Sequence, residues 1–417
     1  MVFRLQYGIT LCLISFTYGV KLIDILIEKV SKPMWIGLDD TDSLLGGCTT
    51  FTFHQLLSEL DCEILELRLV RLYPFAQRRT RGNAAVAAKI IPREHTIDDL
   101  ERIWKEMIEP LSGRIAESDH DNRKQHPSDP GMVVYQNDPD PEFYWTAVRR
   151  QIDYFPTPMR AWGGWGMIGA AAACAWPGIN ATYESIAWRK GVRAVDSNAL
   201  IEVDEIDGTF LCRDPRQKQG LLAPRGPCPV MFGLRAFTVD VAEYATKKII
   251  SAPGTAEVIN WRIFKTNQAS GDHLRMTHRG KVEEILIKKG GHVIVKLEHD
   301  TLIAFGETGE VKLLAQSLVN GDHIQYVGLR SSDGSIHLEG LRKTHSYYQE
   351  RPLCACGKRM KSMGKNQGVR CPSCKIISDK EYESKLEYDH GSKWLMPPLD
   401  ARRHLSRLDL NQNSHDL

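Results

Sequence analysis

Apolar and polar positions change their spacing several times along this chain, and each change marks an element. Met34–Leu38 is a short apolar run that reads as a buried strand. Beyond a Gly46–Gly47 turn, Phe53, Leu56, Leu57 and Leu60 recur at the i, i+3, i+4, i+7 spacing of one helical face, with Thr49 or Thr50 placed to cap the helix. A second apolar run follows the basic turn in RRTRGNAAVAAKI (Arg78–Ile90). In RAWGGWGMIGAAAA (Arg160–Ala173) a Gly-rich turn leads into small residues. That pattern suits a close backbone approach to a ligand, or tight packing of a helix on a sheet. From about Thr277 to Thr344 the pattern becomes alternating: HVIVKLE, DTLIAFGE, HIQYVGLR and IHLEGLRKT are separated by Gly, Asp and Asn turns. Short strands at this spacing predict a small barrel of OB-fold size, a type that often binds single-stranded nucleic acid. Near the start, LQYGITLCLISFTYGV is apolar but too short and interrupted for a membrane span. Residues 1–33 are read as an extension ahead of a natural first residue at Met34; an extra strand–helix element and a secretory signal are the other readings.

The 417 residues are too many for one ordinary core and predict roughly three to four domains of about 100 residues. With 42% hydrophobic and 25% charged residues, the chain is not disordered in the main. Its net charge of +2 is unevenly placed: residues 341–417 hold 15 Lys and Arg against 9 Asp and Glu, on a slightly acidic body. A basic C-terminal segment of this kind suits a polyanion. Ten cysteines, thinly spread apart from one cluster, give no disulfide framework and predict a reducing, cytoplasmic setting.

Candidate chemistry begins at the end of the first strand, where Asp39, Asp40 and Asp42 crowd together before a helix N-terminus. Clustered carboxylates repel unless a cation joins them, and hard Mg²⁺ takes such oxygens together with substrate phosphates. The helix N-terminus offers free N–H groups to a phosphate, so the stretch describes a Mg-nucleotide site; a solvated acidic turn is the plain alternative. The arginines of the RRTRGN turn suit phosphate contact, or form a basic surface loop. No GxxxxGK[ST] sequence occurs, so this is not a P-loop. Further on, Cys354-x-Cys356 and Cys371-x-x-Cys374 are 14 residues apart and predict a closed, structural Zn²⁺ site. Seven Lys and Arg and no acids lie between Arg351 and Lys375, a charge that would attract a phosphate backbone. The tail MPPLDARRHLSRLDL either lies on nucleic acid or docks on the body.

GLDDTDSLLGGCTT, RTRGNAAV, HPSDPGMVVY, GMIGAAAA, CPVMFGLRA, FKTNQASGDHL, the alternating strands, the cysteine pairs and ARRHLS occur in that order. In this the chain resembles the archaeal tRNA(Ile) 2-agmatinylcytidine synthetase (TiaS) family, from Met34 to about Leu410. The resemblance implies an α+β multidomain chain. Its parts would be an atypical kinase-like α/β domain at 34–195, a ferredoxin-like domain at 196–274 that can interleave with the first, and an OB-fold β-barrel at 275–346. A zinc ribbon at 350–380 and a basic tail at 381–417 would follow. It implies ATP-dependent ligation of agmatine to C2 of the wobble cytidine of the CAU-anticodon isoleucine tRNA, through a C2-O-phosphorylated intermediate, so that AUA is decoded. ATP, Mg and Zn are the implied cofactors; tRNA and agmatine are the partners, with no membrane and no obligate protein partner.

Residue by residue, Asp39, Asp40 and Asp42 would hold Mg²⁺, and Thr49 matches a phosphorylation site of the family. Gly46, Gly47, Thr50, Arg79, Arg81 and Asn83 would contact ATP, and Cys354, Cys356, Cys371 and Cys374 would bind zinc. Lys358, Arg359, Lys361, Lys365, Arg370, Arg402 and Arg403 would face the tRNA. An acidic turn, DEIDGTF (Asp204–Phe210), is a candidate for the agmatine dication. The chain departs from the family in its tighter CxC pair, in the bulky RAWGGWGMIG turn where a more basic one is expected, and in the first 33 residues. Taken without the resemblance, the residues also fit a non-catalytic OB-fold and zinc-ribbon nucleic-acid binder, or a Mg-dependent phosphohydrolase acting on nucleic acid.

Overall fold

In the strand Met34–Asp39 (β1) successive side chains point to opposite faces, and both faces are covered. Met34, Ile36 and Leu38 pack with Phe53, Leu56 and Leu57 of α1 (Thr49–Glu59) and with Leu100 and Ile103 of α2 (Thr96–Ile103). Trp35 packs on the other side with α3 (Pro141–Ala147) and α4 (Gly166–Ala175). This two-sided burial explains why the run is continuously apolar. The computed structural model describes residues 2–4, 10–12, 32–42, 45–79, 83–113, 118–120, 123–214, 219–224, 226–364, 367–379, 382–388 and 393–411. Of the N-terminal extension it thus describes the paired strands Val2–Arg4 and Thr10–Cys12 and residues 32 and 33; the rest of that stretch lies outside the described residues.

β1 sits inside an eight-stranded mixed sheet. The other strands are β2 (Cys62–Arg71), β3 (Ala84–Pro92), β4 (Gly131–Tyr135), β5 (Arg160–Gly163), β6 (Thr182–Arg189), β7 (Val230–Ala236) and β8 (Val258–Thr266). Their order is β7-β6-β8-β2-β3-β1-β4-β5. All pairs are antiparallel except β8 with β2, joined through Lys265↔Arg68 and Thr266↔Leu69. Helices α5 (Ser197–Asp204) and α6 (Val239–Ser251) accompany β6–β8 and form a separate core around Phe232, Leu234 and Ile249. The N-terminal part and the 182–266 part therefore share one sheet, meeting at the short parallel seam.

The helix predicted after the acidic loop is present, but neither threonine caps it. The cap is Cys48, in extended backbone and without a side-chain cap bond, so Thr49 and Thr50 are the first two helical residues. The Gly-rich turn serves packing. A Cβ at Gly37 would strike the Ala170 carbonyl, one at Gly131 the Met167 amide, and one at Gly169 the Asp39 carboxylate. Only glycine lets α4 lie this close to β1 and β4.

Beyond residue 274 come β9 (His278–Ile287), β10 (Val293–Leu297), β11 (Thr301–Ala304), α7 (Glu310–Ser317), β12 (His323–Arg330) and β13 (Ile336–Glu350). With β14 (Glu383–Tyr388) they order as β11-β10-β9-β12-β13-β14, and β11 also pairs in parallel with β13 through Leu302↔Ile336 and Ile303↔His337. A three-stranded ribbon follows (Lys361–Ser362, Val369–Arg370, Ile377–Ser378). The last described segment, 393–411, returns across the molecule. Trp394 and Leu410 pack with Leu274 and Val327, and Leu405 enters the core beside Trp35, Val70 and Trp176. Among the described residues, no helix is long and apolar enough to cross a membrane.

Candidate active site and zinc centre

The acidic loop is built by the end of β1. Asp39 Oδ1 accepts from the Asp40 amide at 2.8 Å. Asp40 adopts φ +59°, which aspartate tolerates better than most residues, and its Oδ2 accepts from the Asp129 amide at 3.1 Å. Burial drives both carboxyls up: Asp39 to about 8, with the Asp42 charge adding and the Asp40 amide opposing, and Asp40 to about 9, with Asp39 adding. Two half-buried carboxyls that resist ionisation together are the donor set a hard cation would relieve. Asp42 takes a weak bond from Thr49 Oγ1 at 3.4 Å, and buried Thr41 bonds Thr49 and Thr52 at 3.3 Å each. Gly47 has φ +75°, and a Cβ there would press on the Thr41 carbonyl at 2.8 Å. Gly47 thus shapes the turn, and neither it nor Gly46 lines any of the three clefts around the loop.

Two clefts flank the loop and share Asn83 and Ala84 as a common wall. The first, of about 810 Å³, holds Asp39 and Asp40 against Tyr73, Arg78, Trp165 and Ile168. The second, of about 1090 Å³, holds Asp42, Thr49 and Thr50 against Arg71, Glu184, Arg235 and His404. A third, of about 730 Å³, adjoins the second and contains Arg71, Arg79, Asn83, Arg403 and His404. Asn83 lines all three; its φ is +43° and its Nδ2 donates to the Tyr73 carbonyl at 2.6 Å. Arg79 is turned to the Ala76 carbonyl at 2.9 Å. Arg81 and Lys365 lie outside the described residues.

The sequence left several of these groups unread. Asp129 gives its amide to Asp40 and its carboxylate to the Trp165 amide at 3.0 Å and to Arg78 at 3.5 Å. Arg78 in turn lies 4.9 Å over the Trp165 ring. Glu184 is buried and held by Arg71 at 2.9 Å, with Arg235 at 3.9 Å. The acidic turn at 204–210 lines none of these clefts, whereas Glu184 lines the second. Only the motif HPSDP hinted at Asp129, and nothing local marks Glu184.

In the ribbon, the Sγ atoms of Cys354, Cys356, Cys371 and Cys374 all lie within 4.8 Å of one another. Neighbouring pairs are 3.1 Å (Cys354–Cys374), 3.5 Å (Cys356–Cys371) and 3.7 Å (Cys356–Cys374) apart, and all four are free thiols. A tetrahedron with Zn–S of about 2.3 Å has edges of about 3.8 Å, so the set fits zinc despite the tighter first pair. The Cys374 amide points at Cys371 Sγ at 3.4 Å, the kind of outer bond that steadies a thiolate ligand. Lys358, Lys361 and Arg370 are exposed on this ribbon, and Arg359 pairs with Glu350 at 2.5 Å. Arg402 and Arg403, by contrast, are engaged within the protein. Arg402 donates to the carbonyls of Pro397 and Leu408, and Arg403 binds Glu339 at 2.9 Å and lies 4.7 Å over Phe75.

This geometry has relatives. The TiaS TCKD domain model matches residues 35–157, the TiaS FLD domain model residues 164–273, and the TiaS C-terminal zinc ribbon domain model residues 351–389. The isoleucine-tRNA 2-agmatinylcytidine synthetase TiaS of Methanocorpusculum labreanum is 30% identical over 422 residues, covering 91% of this chain and 97% of that one. Its counterpart of the same name from Methanocaldococcus jannaschii is 30% identical over 424 residues, covering 90% and 97%. The crystal structure of TiaS in complex with its isoleucine tRNA and ATP superposes with a TM-score of 0.69 at 25% identity, over 90% of this chain and 96% of that chain. The three domain models and these relatives together span most of the chain, and the chain belongs to the archaeal TiaS family.

Proposed function

We propose that this protein joins agmatine to C2 of the wobble cytidine in the CAU-anticodon isoleucine tRNA, at the expense of ATP. The observation that carries the reading is its similarity, over nine-tenths of the chain, to proteins named as 2-agmatinylcytidine synthetases of an isoleucine tRNA. The chemistry has to overcome an unreactive C2 carbonyl. Phosphorylating its oxygen creates a leaving group, which the agmatine amine then displaces. Phosphoryl transfer asks the protein for positioning and charge neutralisation rather than covalent help.

ATP occupies the first cleft, whose aromatic and apolar walls suit a purine, with its phosphates over Asp39, Asp40, Asp42 and the first turn of α1. Magnesium, when bound there, would offset the phosphate charge. Asp39 and Asp40 would hold that cation, Asp129 keeps the loop in place, Asn83 contacts ATP from the cleft wall, and the amides at Thr49 and Thr50 face the transferred group. Arg79 and the RTRGN turn complete the phosphate contacts, and Thr49, beside Asp42, is the phosphorylation site. The target base leaves an already single-stranded loop at little cost and enters the second cleft, where Arg71 and Arg235 supply donors.

Residues 34–195 are the kinase-like domain and 196–274 the ferredoxin-like one, the two interleaving in the eight-stranded sheet. The sheet in which β11 pairs back to β13 is the OB-fold. The OB-fold and the exposed Lys358, Lys361 and Arg370 of the ribbon grip tRNA, in the cytoplasm. The test is transfer of label from [γ-³²P]ATP to the tRNA. Label should accumulate on the wobble nucleoside without agmatine and leave it as phosphate when agmatine is added. ATP consumption with no labelled nucleoside would refute the phosphorylated intermediate, and with it this reading.

A further inference from the structure

The motif ARRHLS has no part in the chemistry so far, yet the structure brings its histidine to the catalytic clefts. His404 comes from the C-terminal segment, more than three hundred residues from the acidic loop in sequence. It lines the second cleft beside Thr49, Arg71, Glu184 and Arg235, and also the third beside Asn83. Its side chain is exposed, although the segment on either side is pinned. The Ala269 amide donates to the His404 carbonyl and the Gly271 amide to the Leu405 carbonyl, both at 2.8 Å. Before it, Arg403 is tied to Glu339; after it, Leu405 is buried and Ser406 Oγ bonds Glu339 at 2.5 Å. The backbone at 404 is therefore fixed, and the ring is the part left open to the cleft.

The ring's chemistry follows from its partners. Nδ1 lies 3.2 Å from Gln268 Oε1. An amide oxygen only accepts, so Nδ1 carries the hydrogen and Nε2 keeps its lone pair. The positive charges of Arg71 and Arg235 oppose a proton on the imidazole and hold it below its ordinary value, in its neutral form. Arg71 and Arg235 are donors only, and the Glu184 carboxylate already answers to both. His404 Nε2 is thus an uncommitted acceptor in the same cleft as the donors of Arg71 and Arg235.

We propose that His404 is a substrate-binding residue, whose Nε2 accepts a hydrogen bond from an N–H group on the acceptor side of the reaction. That group is either the exocyclic amine of the target cytosine or the amine of agmatine. The C-terminal segment is then a working wall of the active site rather than an RNA arm. The inference rests on the function proposed above, and on ATP lying in the other cleft.

Steady-state kinetics of the full-length protein tests it, with KM measured separately for ATP, tRNA and agmatine. In His404→Ala, loss of a hydrogen bond in the cleft should raise the KM for tRNA or for agmatine about tenfold, with the KM for ATP unchanged. A rise for tRNA identifies the cytosine amine as donor; a rise for agmatine identifies the alkyl amine. His404→Gln, whose amide oxygen reaches toward the Nε2 position, should recover part of the loss. Leu405→Ala loosens the same segment without touching the ring. If it reproduces the His404→Ala profile, or if all three KM values in His404→Ala stay within about twofold of the parent, the inference is wrong. A parent enzyme that modifies no tRNA would instead sink the underlying function and this inference with it.

Discussion

Asp39 and Asp40 sit where carboxylates are hard to keep ionised, whereas Glu339 shows the opposite arrangement. Burial pushes Glu339 up, but His273 at 2.8 Å, Arg403 and the Ser406 hydroxyl outweigh it and bring the carboxyl down to about 2. A carboxyl lowered in the folded state adds stability that is complete above its unfolded value of 4.5 and is lost as the pH falls toward 2. Glu339→Gln should therefore lower the unfolding midpoint at pH 7, by the equivalent of about 3 kcal/mol for a broken buried pair. The gap to the parent should close as the pH is taken from 4.5 toward 2, which thermal melts at several pH values would follow. A gap that stays constant over that window would show that the charge on Glu339 contributes nothing. At this scale the legible residues were the ones adjacent in sequence. The three aspartates and the four cysteines announce themselves by spacing, while Glu184 with Arg71, or Asp129 with Asp40, are joined only by the fold, about 90 to 110 positions apart.

Among the elements, β1, α1 and the alternating strands were readable because their periods reflect burial on one face or two. The role of α4 was not. A run of small residues carries no period, and its meaning lies in what it lies against: the Ala170 carbonyl against Gly37, and Gly169 against the Asp39 carboxylate. Gly169→Ala should thus act twice, pushing α4 off the sheet at a cost of about 1–3 kcal/mol and displacing Asp39. Calorimetry should show the lower stability, and turnover should fall further than stability alone explains. Normal turnover in a destabilised variant would separate α4 from the site. The ribbon stands apart, since its few short strands enclose only a small core around Met360 and Val369. Its order should depend on metal, because structural zinc supplies folding energy directly. Cys371→Ser should release zinc by elemental analysis and weaken tRNA binding while ATP is still consumed in part; full retention of zinc would contradict the four-thiolate site.

At the scale of the molecule, the clefts lie between parts of the eight-stranded sheet and the C-terminal segment. The eight-stranded sheet joins the N-terminal part and the 182–266 part through one short parallel pairing, and contacts such as Tyr73 Oη to the Arg330 carbonyl at 3.0 Å tie the sheet of β9–β14 to it. The C-terminal segment crosses all of this and ends its path beside Leu274 and Val327. That return path was invisible in the sequence, where a basic stretch behind a Pro pair fits an RNA arm as well as a strap. Its arginines bind carbonyls and Glu339, and its apolar residues fill cores, so charge alone was a poor guide to where it lies.

In the proposed reaction the acidic loop is the place where ATP is spent on a tRNA base. The most direct test is mass spectrometry of the wobble nucleoside, after incubation of transcribed CAU isoleucine tRNA with the protein, Mg-ATP and agmatine. The proposed function requires a mass gain equal to agmatine minus water, lost without ATP and lost in Asp40→Ala, which should still bind tRNA. An unmodified nucleoside in the complete reaction, or full modification by Asp40→Ala, would contradict it.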